Sequence, residues 1–81
     1  MKLTASQRHN LEALYAAGGR LFREHFEFSA VLGGKPIRGL NAKTMRRLVH
    51  MGLVTYETHT ESPSRWYETY TVIRPLVGES V

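Results

Sequence analysis

The chain has 81 residues, a formal charge of +4, seven glutamates without a single aspartate, and no cysteine. That length suits one domain, 1–81, which buries only about 60% of its unfolded surface. The missing cysteine excludes disulfides, thiolate metal sites and a cysteine nucleophile; no apolar run approaches the roughly 20 residues of a membrane span, nor does the start resemble a signal peptide, so the expected location is cytoplasmic.

The opening "LTASQRHNLEALYAAGG" predicts a helix over 5–17. Thr4 and Gln7 have capping-box spacing. Gln7, Leu11, Leu14 and Tyr15 share one face, and Gly18 or Gly19 closes the helix. Residues 20–39 carry two periods at once. Phe22, Phe26 and Phe28 alternate with Arg23, His25 and Glu27 as in a half-buried strand, whereas Leu21, His25, Phe28 and Leu32 have helical spacing. Extended structure is favoured, ended by Gly33-Gly34 before Lys35-Pro36.

The stretch "LNAKTMRRLVHMGLV" at 40–54 predicts a second helix. Asn41 is its N-cap and Gly52 its C-cap, and Leu40 and Met45 have the spacing of a hydrophobic staple. Met45, Leu48 and Val49 form a narrow apolar stripe. At 100° per residue Lys43, Arg46, Arg47 and His50 fall opposite it. Period two then takes over in "LVTYETHT" and "RWYETYTVI", two strands of a hairpin. "ESPS" predicts a connecting loop longer than a two-residue turn, and Pro75 ends the second strand. The ordered core is expected over about 3–75, with a loosely held tail at 76–81.

No acid lies between Glu27 and Glu57, while Lys35, Arg38, Lys43, Arg46 and Arg47 all do. Such a block in a small domain points to an anionic partner; the alternative is an ordinary solvated face.

In element order the chain resembles the winged-helix family of DNA-binding domains, small bacterial and phage type. The resemblance rests on Leu3-Thr4 with Gln7-Arg8 and Leu11, on "TMRRLVHMGLV" at 44–54, and on "YTV" at 70–72, and covers most of 3–73. It implies an α+β fold with an N-terminal helix, a basic recognition-type helix and a C-terminal hairpin as the wing. Two departures stand out. The segment that holds the second helix in the family has no clear helical pattern here, and Ile73 followed by "RPLVG" replaces the usual ending.

The resemblance implies double-stranded DNA as partner and transcription regulation as the setting. Lys43 and Thr44 would approach the groove first, Arg47 would follow one turn on, and Arg46 and His50 would flank the backbone. Lys35 and Arg38 would extend the patch. Arg65, with His59, would sit near the wing tip. The aromatic residues Tyr56, Trp66, Tyr67, Tyr70, Phe22, Phe26 and Phe28 suit core and cross-strand packing better than base stacking. A second expectation comes from the tiny chain with no visible dimer seam: a phage-encoded inhibitor of a host defence system, anti-CRISPR in type. It would dock the same basic face on an acidic surface of a nuclease or CRISPR surveillance complex and block DNA binding. The four histidines lack metal-ligand spacing, and neither a nucleophile motif nor a phosphate loop occurs. No enzyme activity, cofactor, metal or membrane partner is therefore expected.

Overall fold

Leu14, Met45 and Leu48 from two helices meet Leu21, Phe28, Val54, Tyr70 and Val72 from one face of a sheet, and these side chains are the core. The structure is a computed structural model that describes residues 2–73. Pro75, the "RPLVG" ending beyond Ile73, and the tail 76–81 lie outside the described residues.

The chain runs α1 (Ala5–Ala16), β1 (Arg20–Glu24), β2 (Glu27–Ser29), β3 (Pro36–Ile37), α2 (Ala42–His50), β4 (Val54–Ser62) and β5 (Arg65–Val72). The result is a small α+β domain with a five-stranded antiparallel sheet ordered β3-β2-β1-β5-β4. Both helices obey their local signals. Thr4 and Gln7 form the reciprocal capping box, and the Asn41 side chain accepts from the backbone N–H groups of Lys43 and Thr44. Both also end alike. Gly18 and Gly52 take positive φ and turn the chain back, so that Gly19 N–H reaches Leu14 O and Leu53 N–H reaches Leu48 O.

Residues 20–39 are extended, as favoured, because β5 supplies β1 with a partner: Leu21 lies beside Tyr70 and Arg23 beside Glu68. Leu21 and Phe28 are buried, but His25 from the competing helical set is exposed. Strand pairing decides the outcome rather than burial of the alternating set: of Phe22, Phe26 and Phe28 only Phe28 joins the core, while Phe22 lies on the opposite face against Tyr67. Three strands thus stand where a winged-helix order would place a second helix, so the order α1-β1-β2-β3-α2-β4-β5 differs from that of the family.

Two local expectations need correction. The β4–β5 connection is tight, with only Pro63 and Ser64 between the strands. Glu61 and Ser62 belong to β4 because a register shift between Thr60 and Ser62 absorbs the extra residue. Phe26 does not pack in the interior: it is 83% exposed. With His25 it forms the two-residue β1–β2 turn, at φ 54 for His25 and 68 for Phe26. A turn with both central residues at positive φ favours Asn-Gly, and a bulky side chain there is strained. The Arg23 guanidinium lies 5.2 Å from the Phe26 ring centroid and 5.9 Å from that of Phe28.

One ionic knot lies beneath this turn. Glu68, only 4% exposed, receives Arg23 Nη1 at 2.8 Å and the Tyr56 hydroxyl at 2.6 Å, with the Tyr70 hydroxyl at 3.4 Å. Burial pushes the Glu68 pKa up, but the hydrogen bonds from Tyr56 and Arg23 and the Arg23 charge outweigh it, leaving the carboxyl below its ordinary 4.5. Burial, then the neighbouring Glu68 charge, push the Tyr70 hydroxyl up to about 12.

The Glu68 knot is expected to stabilise the fold at neutral pH and to lose that contribution as pH falls below 4.5 through the depressed folded-state value. Glu68→Ala should cost about 3–5 kcal/mol in urea denaturation by stranding Arg23. A loss under about 1 kcal/mol would show that the knot is not stabilising. Replacing His25-Phe26 by Asn-Gly should raise stability by about 1 kcal/mol by relieving the turn. An unchanged or lowered unfolding midpoint would show that the Phe26 contact outweighs its strain.

Candidate nucleic-acid interface

The N-termini of α1 and α2 converge, and a buried asparagine sets their spacing. Asn10 is fully buried. Its amide donates to Ser6 O at 2.8 Å within α1, and its carbonyl accepts the backbone N–H of Asn41 at 3.1 Å. Asn41 in turn caps α2. One layer outward, the Ser6 and Thr44 hydroxyls stand 3.2 Å apart. The starts of both helices therefore lie side by side, with the Thr4, Gln7 and Asn41 caps occupying N–H groups of their first turns.

Beside these starts is a hollow of ≈ 280 Å³ lined by Thr4, Gln7, Lys43, Thr44 and Arg47. No acid lines it. The ion pairs among the described residues involve Arg23, His59 and Arg65, so Lys43 and Arg47 remain available to a ligand. Two cations, two hydroxyl or amide side chains on α1 and a hydroxyl on α2 surround an opening suited to a phosphate or another small anion.

The other sequence-derived candidates are distributed around this hollow rather than all in it. Arg46 is exposed but reaches the Tyr70 hydroxyl. Its position beside Val49 on the helical wheel brings its long side chain to the sheet flank. His50 is exposed in the last turn of α2. Lys35 and Arg38 are exposed on either side of β3. The chain then returns to α1 at Gly39, where a β-carbon would stand 3.1 Å from His9 Nε2.

Arg65 is set apart. It lies at the far end of the β4–β5 ribbon, about 27 Å along the strands from Val54 at the helix end. There Glu24 and Glu61 hold it at 3.2 and 3.6 Å. His59 is mid-strand rather than near the tip: it stacks on Tyr67 at 4.9 Å and meets the Thr69 hydroxyl at 3.1 Å. Of the six glutamates among the described residues, five lie in strands and only Glu12 in a helix, so charge is segregated along the molecule.

Sequence reasoning missed Asn10, whose burial has no signal other than its position one turn from Leu14 and Ser6. It also missed a second hollow, ≈ 210 Å³, where Arg23, His25, Phe26, Ser64 and Trp66 bring the two hairpin turns together. Trp66 there is 50% exposed. No group of three His, Asp or Glu side chains among the described residues is arranged to hold a metal ion, and no helix among them is long and apolar enough to cross a membrane. No family model, curated protein or solved structure matches the chain.

Asn10→Ala should lower stability by about 1–3 kcal/mol, because the Asn41 N–H is left without its buried acceptor. It should also loosen the α1–α2 contact, visible as faster amide exchange at Asn41 and Lys43. Unchanged exchange at both would refute the positioning role.

Proposed function

We propose that this protein binds duplex DNA through α2 in winged-helix-like fashion, as a small regulator, with the hollow between the helix N-termini taking a backbone phosphate. The observation that carries this reading is the acid-free grouping of Lys43 and Arg47 around the hollow beside the starts of both helices. Phosphate contacts would supply most of the affinity. With a phosphate in the hollow, the start of α2 lies closest to the duplex. Lys43 and Arg47 then divide between the phosphate and base edges, where arginine suits guanine. Arg46, His50, Lys35 and Arg38 extend the positive surface along the flanks. Arg65, paired with two glutamates, contributes less at its end of the ribbon.

A second reading is an inhibitor that docks on a host defence nuclease or CRISPR complex. It is favoured by a different observation, the strained and exposed Phe26 beside Trp66, which resembles a protein-contact anchor more than a DNA contact. Phe26→Ser separates the two, because duplex binding should not change while capture of such a complex should be lost.

For duplex binding, about four to six neutralised phosphates predict that log affinity falls against log salt with a slope of roughly −4 to −5. Lys43→Ala, removing a phosphate contact, should flatten that slope by about 1, and Arg47→Ala, removing a base contact, should weaken binding most on guanine-containing duplexes. Fluorescence anisotropy on labelled duplexes with and without guanine reads both. Salt-insensitive binding, or none, would defeat the proposal.

A further inference from the structure

The sheet ends differently on its two sides. At one edge β3 is two residues long and contains Pro36, which blunts it. At the other, β4 runs for nine residues, Val54–Ser62, without a proline or lysine, and most of it is exposed. No described element pairs with its outer side.

The direction of the free backbone groups follows from two bonds at the base of the ribbon. Val72 N–H turns to Gly19 O on the β1 side, while Ile73 N–H turns to Leu53 O on the β4 side. Alternation then assigns Thr55, Glu57 and His59 to bonding with Thr71, Thr69 and Tyr67 of β5. Tyr56, Thr58 and Thr60 must direct their N–H and C=O groups outward.

We infer that β4 pairs with β4 of a second copy of this chain, antiparallel and centred on Thr58, to make one continuous sheet across a two-fold axis. Three registers bring outward-facing residues together near the strand centre, and charge distinguishes them. Centring on Glu57 sets it against itself. Centring on His59 sets Glu57 against Glu61. Centring on Thr58 sets each Glu57 against the other copy's His59, places Tyr56 opposite Thr60, and overlaps the strands along their whole length. Like charges directly across a strand pair destabilise it, and of the three registers only the one centred on Thr58 has none. The outward groups of Tyr56, Thr58 and Thr60 then exchange about six backbone hydrogen bonds.

The two-fold axis is perpendicular to the sheet, so both copies carry their helices on the same side. Val54, at the base of α2, is four residues from the axis, which puts the two Val54 positions roughly 27 Å apart along the strands. The sideways offset of each helix from the seam adds to this. Such a spacing is comparable with the ~34 Å between half-sites one helical turn apart on B-form DNA. This last step rests on the duplex-binding reading of α2; the dimer does not.

Size-exclusion chromatography with light scattering should give the mass of two chains without DNA. Thr58→Pro removes an outward N–H and the Thr58 hydroxyl's bond to Tyr56 but leaves the pairing with β5 intact, so it should yield monomers whose circular dichroism matches the parent. Thr58→Val, which lacks only the hydroxyl, should stay dimeric. His59→Glu sets two carboxylates against each other across the seam and should weaken the dimer roughly tenfold, and adding Glu57→Lys should restore it. As the chain has no cysteine, Thr58→Cys should crosslink rapidly on oxidation and Thr55→Cys slowly. A monomeric parent, a dimeric Thr58→Pro variant, or equal crosslinking at the two positions would overturn the inference. A monomer that still binds duplex in a salt-sensitive way defeats only the dimer. A dimer that binds no duplex defeats only the reading of α2.

Discussion

The candidate interface depends on the side chain of Asn10. A buried amide is costly unless its donor and acceptor are both used, and here each is. Its amide group holds the start of α1, while its carbonyl holds the residue that caps α2. Two helices packed only by Leu14, Met45 and Leu48 could slide past each other at little cost, because apolar contact is not directional. The paired amide fixes one alignment. In that alignment Ser6 meets Thr44, and Lys43 and Arg47 share a hollow with Thr4 and Gln7.

The sheet separates this charge from its opposite. Glu68 must be buried because it shares the inner face with Tyr70 and Val72, and Arg23 must follow it because β1 places Arg23 beside it. Glu24 and Glu61 likewise occupy Arg65 at the ribbon end. Glutamates consumed within strands are not near enough to neutralise Lys43 and Arg47. The basic end of the domain therefore stays positive although the chain carries seven acids.

Strain and exposure concentrate away from that end. His25 and Phe26 occupy a turn whose geometry suits smaller residues, and Phe26 gains little burial in return. The long bare edge of β4 lies at the side of the same sheet. A fold selected for stability alone would blunt such an edge and relax such a turn. Both features instead leave the domain with surfaces suited to association, distinct from the face formed by α2.

Local signals were strong enough to read both helices directly. Thr4 with Gln7, Asn41, Gly18 and Gly52 act on backbone groups within a few residues of themselves, so their meaning does not depend on distant partners. The stripe of Met45, Leu48 and Val49 likewise indicated which side of α2 would be outward. For 20–39 the alternation was visible, but a helical spacing competed with it, and only the pairing of β1 with β5 decided between them. The winged-helix family has a second helix at that place; the residues lacked its pattern, and three strands lie there instead. The long hairpin loop was misread because a bulge cannot be seen in residue types alone. Sequence by itself determined the helices, their caps and the location of the basic block, since these follow from short-range hydrogen bonding and periodicity. Tertiary structure alone decided that Asn10 would be buried, that Arg23 and Arg65 would be matched by glutamates, and that Lys43 and Arg47 would not, because these outcomes depend on contacts between residues distant in the chain.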